Sequence, residues 1–362
     1  MNVLALVPYP IEDACTRYRI GQFVPALAAA EVRVTLAPIL DAEAFARLYG
    51  PGGIVRKSLD WLGAVDRRRA QVDAAASYDA VFLLRDLWPL RGPDFERRLF
   101  ERNPRVVFDF DDAVFLPHTS TANRAAGFLR APSRAAWLAG HARIVTPGNA
   151  YLRRWAEGHA APGARVLELP TAVDTERWRP ANAHTRPDDG IRLGWIGSHS
   201  TVPFLEALAP VLARLRARHP ALRLVVIGAT SDRFGDLIEA VPWTLAGEVD
   251  ALSRIDIGLA PLPDSDWSRG KCGLKLLQYL ALGKPVVASP VGVHPEMIEP
   301  GVHGLLADGE DAWFDALDRL IGDAALCTTM GQHGRARVEE RYSVRAVAPR
   351  LIEALHQAAE AA

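Results

Sequence analysis

Short apolar runs alternate with longer segments in which apolar residues recur every three or four positions, along almost the whole chain. The short runs predict buried strands and the longer spacing predicts amphipathic helices. Strands are predicted in the first half at 3–7, 32–38, 80–84, 106–109, 143–146 and 165–169, and in the second half at 191–196, 222–227, 256–260, 285–288 and 304–306. Strands separated by helices imply parallel βαβ units with right-handed crossovers, and such units bind ligands at the carboxyl ends of the strands.

The alternation is interrupted once, at residues 178–190, where WRPANAHTRPDDG has two prolines and few apolar residues. With 362 residues the chain is too long for one ordinary core. We therefore predict an α/β fold of two doubly wound Rossmann-like domains, 1–177 and 191–342, which face each other across a cleft. The segment 178–190 would link them, and a last helix in 343–362 would cross back to the first domain.

Composition narrows the class of protein. An apolar content of 49% and a formal net charge of −1 indicate a globular protein without the basic excess that nucleic-acid binding requires. Three cysteines without motif spacing predict reduced thiols and no zinc site. The opening MNVLALVPYP is too short for a secretory signal, and no run of about 18 apolar residues is present. We expect a cytoplasmic protein, and peripheral contact with the inner membrane face stays open.

The segment 264–289 is the most informative in the chain. After a polar loop, a helix is predicted from roughly 272 to 282. At helical spacing Lys271, Lys275 and Gln278 fall along one stripe, while leucines cover most of the remaining surface. Buried lysines require an anion, although these two could instead extend to a solvent edge. Because the helix begins just after a strand, its free N–H groups favour a phosphate. The segment therefore predicts a diphosphate site.

Other candidates follow predicted strands of the second half. Gly197 permits close approach of the backbone to a phosphate, and the hydroxyls of Ser198 and Thr201 could contact that phosphate or only cap the next helix. Trp243 could stack on a nucleobase or belong to the core. The remaining candidates are Glu248, Gly292 and Glu296, of which the last could bind ribose or cap a helix.

The first half offers a second group of polar residues near predicted strand ends, namely Arg17, Arg19, Asp109, Asp111, Asp112 and His118. The two arginines could bind a phosphate or an acidic acceptor, or form salt bridges. The three carboxylates could ligate Mg²⁺, contact sugar hydroxyls or hold the structure together. Because they form no convincing ligand set, we predict no metal. No GxGxxG follows the first strand, so a dinucleotide fingerprint is not supported.

Several motifs together resemble a known family. They are TAVDTERWRP at 171–180, LLQYLALGKPVVAS, G-x-x-P-E-M-I at 292–298 and GVHGLLA at 301–307. This arrangement is similar to the GT-B fold glycosyltransferases, specifically the retaining enzymes of family 4 and their bacterial polysaccharide and glycoconjugate branch. The resemblance covers nearly the whole chain and is strongest over 240–310.

The resemblance implies a nucleoside diphosphate sugar as donor, a sugar or lipid-linked sugar as acceptor, and no cofactor or metal. Carried onto this chain, it implies catalytic roles for His118, Asp109 and Lys275. Acceptor binding would fall to Arg17, Arg19, Asp111 and Asp112, and donor binding to Gly197, Ser198, Thr201, Trp243, Glu248, Asp264, Arg269, Lys271, Lys275, Gln278, Gly292 and Glu296. In such enzymes a donor phosphate oxygen removes the acceptor proton, so no protein nucleophile is needed.

This sequence departs from the family in a pair of glutamates and in the loop after the first strand of the second domain, which lacks the family's arginine and lysine. Gly270 and Gln278 stand where the family typically carries a pair of glutamates. We expect Arg269 with the two lysines to meet the diphosphate, Gln278 to bind ribose, and Glu248 or Asp264 to replace the missing acid. Two other functions stay open, a nucleotide-sugar epimerase of the same fold and a nucleotide-sugar-binding subunit without catalysis.

Overall fold

The chain divides into two compact units in a computed structural model that describes residues 1–49, 53–88, 94–117, 133–180 and 190–360. The first unit comprises Met1–Ala172, Gly270–Cys272 and Val347–Ala362, and the second comprises Val173–Arg269 and Gly273–Ala346. The predicted linker at 178–190 lies mostly outside the described residues. The chain therefore passes between the two units at 172/173, 269/270, 272/273 and 346/347.

The first unit is built on short strands separated by helices. Its strands are β1 Asn2–Val7, β2 Arg33–Pro38, β3 Ala80–Leu84, β4 Val106–Phe110, β5 Ile144–Pro147 and β6 Arg165–Val166. Its helices up to residue 157 are α1 Ala14–Arg19, α2 Val24–Ala29, α3 Ala42–Tyr49, α4 Ile54–Ala74, α5 Phe95–Arg102, α6 Ser133–Ala139 and α7 Ala150–Glu157. Every residue of β3 and β4 is buried, because helices cover both faces of a parallel sheet.

These six strands form one parallel sheet in the order β2-β1-β3-β4-β5-β6. The order reverses direction between β1 and β3. In open parallel sheets the loops at such a reversal diverge and leave a crevice at the carboxyl ends of the strands. The core beneath this edge includes the rings of Phe108 and Phe110, whose centroids lie 5.1 Å apart.

The second unit repeats the same plan. Its strands are β7 Arg192–Ile196, β8 Arg223–Ile227, β9 Ile238–Val241, β10 Ile257–Ala260, β11 Val286–Ala288 and β12 Gly304–Leu306. Its helices are α8 Val202–Glu206, α9 Ala209–Arg218, α10 Glu248–Ser253, α11 Asp266–Arg269, α12 Leu274–Ala281, α13 His294–Met297, α14 Glu310–Gly322 and α15 Ala324–Arg341. The parallel sheet has the order β12-β11-β10-β7-β8-β9, with its reversal between β7 and β10. The predicted fold class, two Rossmann-like α/β domains, is confirmed.

A final helix, α16 Val344–Ala359, belongs to the first unit from Val347 onward. Its apolar side is buried, and Arg165 at the start of β6 donates to Glu353 Oε1 at 2.8 Å and hydrogen-bonds Gln357. Pro349 lies inside the helix beyond its first turn, where it removes one backbone N–H donor from the helical hydrogen bonds. The last helix of the chain therefore belongs to the same unit as its first residues.

Two local predictions were wrong for identifiable reasons. The apolar spacing over 202–218 predicts one helix, but two form, because the Pro210 ring near the start of α9 fits the first turn of a helix and not its interior. Strand β9 was not predicted, because its sequence IEAV carries a glutamate and is only partly buried at the edge of the sheet. None of the described helices is both long and apolar enough to span a bilayer.

Candidate functional site

The reversal of strand order in the second unit creates its crevice. Strands β7 and β10 pair only at their beginnings, and the Tyr279 hydroxyl lies between them further on. It accepts a hydrogen bond from Ile196 N at 3.1 Å and faces the Leu259 carbonyl at 3.4 Å. The Tyr279 ring occupies the space left by Gly258, where a Cβ would lie 2.3 Å away. Tyr279 therefore satisfies backbone groups that the diverging strands leave unpaired.

The loop after β7 has the small, polar residues that the sequence suggested. A Cβ on Gly197 would lie 2.3 Å from the Trp195 ring and 2.8 Å from Thr201 Oγ1, so only glycine fits. The Thr201 hydroxyl donates to the Ser198 carbonyl at 3.2 Å and accepts from Ser198 N at 3.3 Å. No side chain of the described residues caps α8. These hydrogen bonds therefore fix the conformation of the loop, and the hydroxyls do not cap helix α8.

The predicted stripe of lysines differs from the structure in one respect: Lys271 does not lie on the helix. Helix α12 begins at Leu274 and not at residue 272, because Gly273 adopts a left-handed conformation with φ of 69°. Lys271 thus precedes the helix, and only Lys275 and Gln278 remain on it. The Lys275 ammonium lies 4.1 Å from the centroid of the Trp195 ring, a cation–π contact at the reversal of strand order.

Lys271 is held by the first unit. Its ammonium lies 2.8 Å from Asp112 Oδ2, and its carbonyl accepts a hydrogen bond from Asn149 Nδ2 at 3.0 Å. The next residue, Cys272, is buried in the first core against Gly148, where a Cβ would lie 2.5 Å from its sulfur. Three consecutive residues of the predicted diphosphate segment therefore form part of the first unit.

Arg269 was predicted to meet the diphosphate and Asp264 to replace the missing acid. In the structure their side chains bind each other. The guanidinium makes two hydrogen bonds to the carboxylate, at 2.8 and 2.9 Å, and this interaction lowers the pKa of Asp264. Gly292, with φ of 61°, approaches the backbone of Arg269 so closely that a Cβ would lie 3.2 Å from it. The loops after β10 and β11 therefore meet at this point.

Trp243 follows β9 and is 37% exposed, so it is not a core residue. Its Nε1 donates to Glu248 Oε2 at 3.1 Å, and Arg177 pairs with Glu248 Oε1 at 2.9 Å. Glu248 itself is buried beneath these two side chains. The position of Glu248 is therefore better suited to support the exposed Trp243 ring than to contact a sugar. Nothing in the sequence around Arg177 signalled this role.

Three further residues lie on or beside α12 and α13. Gln278 is buried, whereas Glu296 is exposed on the first turn of α13. His294, which was not predicted from the sequence, is buried with Nδ1 2.9 Å from the Ser289 carbonyl. Burial lowers its pKa to about 4, so it is neutral near pH 7. The charge of Lys275 acts in the same direction.

At the carboxyl edge of the first sheet, Arg19 and Asp109 form a buried ion pair. Arg19 Nε and Nη2 donate to the two Asp109 oxygens at 2.8 and 2.6 Å, and Thr146 donates to Asp109 at 2.7 Å. Arg19 also donates to the Leu169 carbonyl at 2.8 Å. Burial raises the pKa of Asp109 despite the nearby guanidinium. These contacts fit a structural role for both residues, the alternative that the sequence left open.

Arg85, which follows β3 directly, was not predicted from the sequence. It has a positive φ of 58°, uncommon outside glycine, and its guanidinium lies 2.7 Å from Asp111 Oδ1. Burial alone would raise the pKa of Asp111, but the charges of Arg85 and Arg19 hold it below the usual range. The position at a strand end, shared with the aspartates, was the signal that could have revealed it.

The remaining predicted residues of the first unit are Arg17 and His118. Arg17 donates to the carbonyls of Ile11 at 3.3 Å and Glu12 at 3.0 Å, and its guanidinium lies 5.0 Å from the Tyr18 ring. His118 lies outside the described residues. Within the described part of the chain, His, Cys, Asp and Glu side chains form no group of three or more that could hold a metal ion.

Comparison with known proteins places this geometry in context. Residues 191–323 match the family model Glycosyl transferases group 1. D-inositol 3-phosphate glycosyltransferase from Corynebacterium jeikeium is 29% identical over 228 residues, 56% of this chain and 53% of the relative. A GDP-mannose-dependent monoacylated phosphatidylinositol monomannoside mannosyltransferase from Corynebacterium glutamicum is 24% identical over 52% of this chain and 55% of its own length. The chain spans about half the length of the curated relatives it matches.

Solved structures share the fold over the whole chain. Sucrose-phosphate synthase from Thermosynechococcus elongatus has a TM-score of 0.73 at 18% identity and covers 99% of both chains. HepE from Anabaena in complex with UDP-glucose has a TM-score of 0.68 at 14% identity and covers 98% of this chain and 99% of its own. The predicted resemblance is confirmed: the chain shares the GT-B fold with these structures, and residues 191–323 match the model of the group 1 glycosyl transferases.

Proposed function

We propose that this chain transfers a glycosyl group from a nucleoside diphosphate sugar to an acceptor hydroxyl, with the donor bound at the carboxyl edge of the second sheet. One observation carries the proposal. The glycine loop after β7 and the amino-terminal end of α12 flank the reversal of strand order, and Lys275 lies between them against Trp195. Open parallel sheets bind their ligands at this place.

The diphosphate is proposed to bind at the start of α12. The first turn of an α-helix directs N–H groups without intrahelical partners toward its amino-terminal end, and its dipole favours an anion there. Gly273 has no side chain to cap this end. Lys275 supplies a cation, and a charge-assisted contact in such a site contributes about 1.5–3 kcal/mol.

The nucleobase is proposed to stack on Trp243. Its ring is partly exposed, and the hydrogen bond to Glu248 together with the Arg177–Glu248 ion pair fixes its orientation. A ring held in this way loses little conformational freedom when it binds a base. HepE, which shares the fold, was solved in complexes with UDP and UDP-glucose. That neighbour supports a nucleotide donor without identifying the base.

The chemistry is proposed to retain the configuration at the anomeric carbon. The bond from that carbon to the diphosphate oxygen breaks, the bond to the acceptor oxygen forms on the same face, and the acceptor proton passes to the departing diphosphate. The protein aligns the two substrates and stabilises the developing charge. Asp109 is unsuited to act as a nucleophile, because both of its oxygens are engaged by Arg19 and Thr146 in the core.

Metal-independent turnover follows from the same proposal. The carboxylates of Asp109, Asp111 and Asp112 are each paired with Arg19, Arg85 or Lys271, and a divalent ion would have to displace those cations. Activity should therefore persist in excess EDTA. Loss of turnover on chelation, with recovery on addition of Mg²⁺ or Mn²⁺, would instead assign a metal to these carboxylates.

Binding of the donor is tested with Lys275→Met. Methionine keeps the apolar stem, so the fold should survive while kcat/KM falls about a hundredfold, equivalent to about 3 kcal/mol of transition-state stabilisation. Lys284→Met, which removes another half-buried lysine of the second unit beyond the far end of α12, is the matched control. Unchanged affinity of Lys275→Met for the nucleoside diphosphate would move the phosphate site to the Gly197 loop.

The donor itself is identified by a thermal-shift screen with UDP, GDP, ADP, CMP and dTDP. A ligand at about 100 times its dissociation constant adds about 2.7 kcal/mol of stability. The matching sugar nucleotide is then incubated without acceptor. Slow hydrolysis supports a transferase, an epimerised sugar would indicate an isomerase, and an unchanged bound donor would indicate a binding subunit.

The binding-subunit alternative has one specific observation in its favour. Buried Gln278 occupies the position where the family typically has a glutamate, and an amide can hydrogen-bond ribose hydroxyls as donor and acceptor. Gln278→Glu separates the two functions. A transferase should keep or gain turnover with this carboxylate, whereas a binding subunit should stay inactive while its donor affinity changes.

A further inference from the structure

Helix α4 of the first unit has two apolar sides. Ala64, Arg68 and Val72 face inward and are fully buried, and Arg68 donates to the Val7 carbonyl at 2.7 Å. Trp61 packs edge-on against Trp88, with ring centroids 5.6 Å apart. This side attaches the helix to the sheet. A helix was expected between β2 and β3, but the bounds of this 21-residue helix were not predicted, because a buried arginine interrupts its inward stripe.

The opposite side carries a second stripe, formed by Val55, Leu59 and Leu62. The spacing of four and three residues places these side chains in one line along the helix surface, roughly 150° from the buried side. They are 75%, 60% and 65% exposed. Among the described residues, the other exposed large apolar side chains, Ile11 and Trp243, are only 36% and 37% exposed. The stripe contributes nothing to the core of the unit, so its apolar character points to a partner.

The size of the stripe decides between possible partners. Three partly exposed aliphatic side chains present on the order of 200 Å² of apolar surface. A stable protein interface needs about 800 Å² from each partner, so a second copy of this chain would be held too weakly by this stripe. A bilayer requires less, because a few side chains that enter the boundary between headgroups and acyl chains are already surrounded by lipid.

The charges beside the stripe favour an anionic surface. Arg56 is exposed next to Val55, and Lys57 follows it. Asp60 on the same helix pairs with Arg47 at 2.9 Å and is also attracted by Arg56. Cations close to an anionic membrane strengthen binding about fivefold each. We propose that the Val55–Leu59–Leu62 stripe, with Arg56 and Lys57, binds the first unit to the surface of a membrane that contains anionic lipids.

Sedimentation with lipid vesicles tests this proposal on the full-length chain. Vesicles of phosphatidylcholine with phosphatidylserine should bind the protein, and vesicles of phosphatidylcholine alone should bind it several-fold more weakly. The double variant Leu59→Gln/Leu62→Gln should lose about thirtyfold in partitioning, since two partly buried leucine side chains are withdrawn from lipid. Glutamine has nearly the helix propensity of leucine, so the thermal unfolding midpoint should not change.

Charge is tested separately. Arg56→Gln should weaken binding to the anionic vesicles about fivefold. The matched control is Arg214→Gln, which removes a solvent-accessible arginine of α9 in the second unit and should leave binding unchanged. None of these positions belongs to the proposed donor site, so vesicle binding and glycosyl transfer can fail independently.

Three results would overturn the proposal. The first is equal sedimentation of the wild type and the leucine double variant. The second is equal binding to vesicles with and without phosphatidylserine. The third is a wild-type dimer in analytical ultracentrifugation that the double variant dissociates, which would assign the stripe to a second copy of this chain.

Discussion

The carboxyl edges of the two sheets share the same reversal of strand order but carry different side chains. In the first unit the edge is filled by charges that neutralise one another, Arg19 with Asp109, Arg85 with Asp111 and Lys271 with Asp112. In the second unit it is built from glycine loops, a helix end, a neutral histidine and one lysine against an indole ring. In the proposed function, the first edge would therefore face a neutral, hydroxyl-rich ligand and the second an anion.

The largest expected effect comes from breaking the buried pair of the first unit. Arg19→Met leaves Asp109 buried without its partner, so the free energy of unfolding should fall by about 3–5 kcal/mol. Denaturant unfolding measures the loss, and hydrogen exchange should locate it in β4. The double variant Arg19→Met/Asp109→Leu is the control and should recover most of the stability. Equal losses in the single and double variants would contradict the ion-pair explanation.

The second unit should respond to acid through His294. Its folded pKa of about 4 lies below the unfolded value of about 6.5, so between these values the unfolded chain binds a proton that the folded chain does not. Stability is therefore full above about pH 6.5 and declines by roughly 3 kcal/mol as the pH falls toward 4. Unfolding measured across this range should show a shallower decline in His294→Gln. An unaltered slope would mean that His294 is not neutral in the fold.

A smaller effect is expected at the Tyr279 hydroxyl. Tyr279→Phe leaves Ile196 N without its acceptor, and an unsatisfied buried group costs about 1–3 kcal/mol. If the hydroxyl also holds the crevice in shape, KM for the donor should rise while kcat changes little. Steady-state kinetics and thermal unfolding measure the two effects. A variant with normal stability and kinetics would show that β7 and β10 need no bridge at this point.

The smallest effect should come from the partly exposed pair of Lys271 and Asp112. Solvent screens this interaction, so Lys271→Met and Asp112→Asn should each change stability by about 1 kcal/mol or less. A double-mutant cycle gives the coupling energy directly. A coupling energy as large as that of Arg19 and Asp109 would remove the contrast between buried and accessible pairs in the first unit.

Much of the fold followed from local patterns, and the exceptions have physical causes. Strands such as β4 and β8 are predicted because their apolar runs reflect burial on both faces of a sheet. The start of α12 was misplaced by two residues, because the left-handed conformation of Gly273 cannot be deduced from an apolar stripe. The bounds of helix α4 were not predicted, because a buried arginine interrupts its inward apolar stripe and a second, exposed apolar stripe lies on the opposite side.

The candidate site was less predictable than the fold. The sequence identified the aspartates after β4, but their partners lie far away along the chain, Arg19 ninety residues from Asp109 and Lys271 159 residues from Asp112. No local pattern encodes such pairings. The glycines at 197 and 292 were easier to identify, because glycine is favoured where a turn after a strand needs a positive φ or leaves no room for a side chain.

The chain enters the first unit three separate times, as residues 1–172, 270–272 and 347–362. A gene cut at the boundary near residue 173 would therefore encode an incomplete amino-terminal fragment that lacks the partners of Arg165 and Asp112. That fragment should misfold or aggregate when expressed alone and become soluble when the final helix is supplied as a peptide or fused in front of Met1. A circular permutant that starts near residue 347 would join two of the three segments, and it offers a way to study the first unit in isolation.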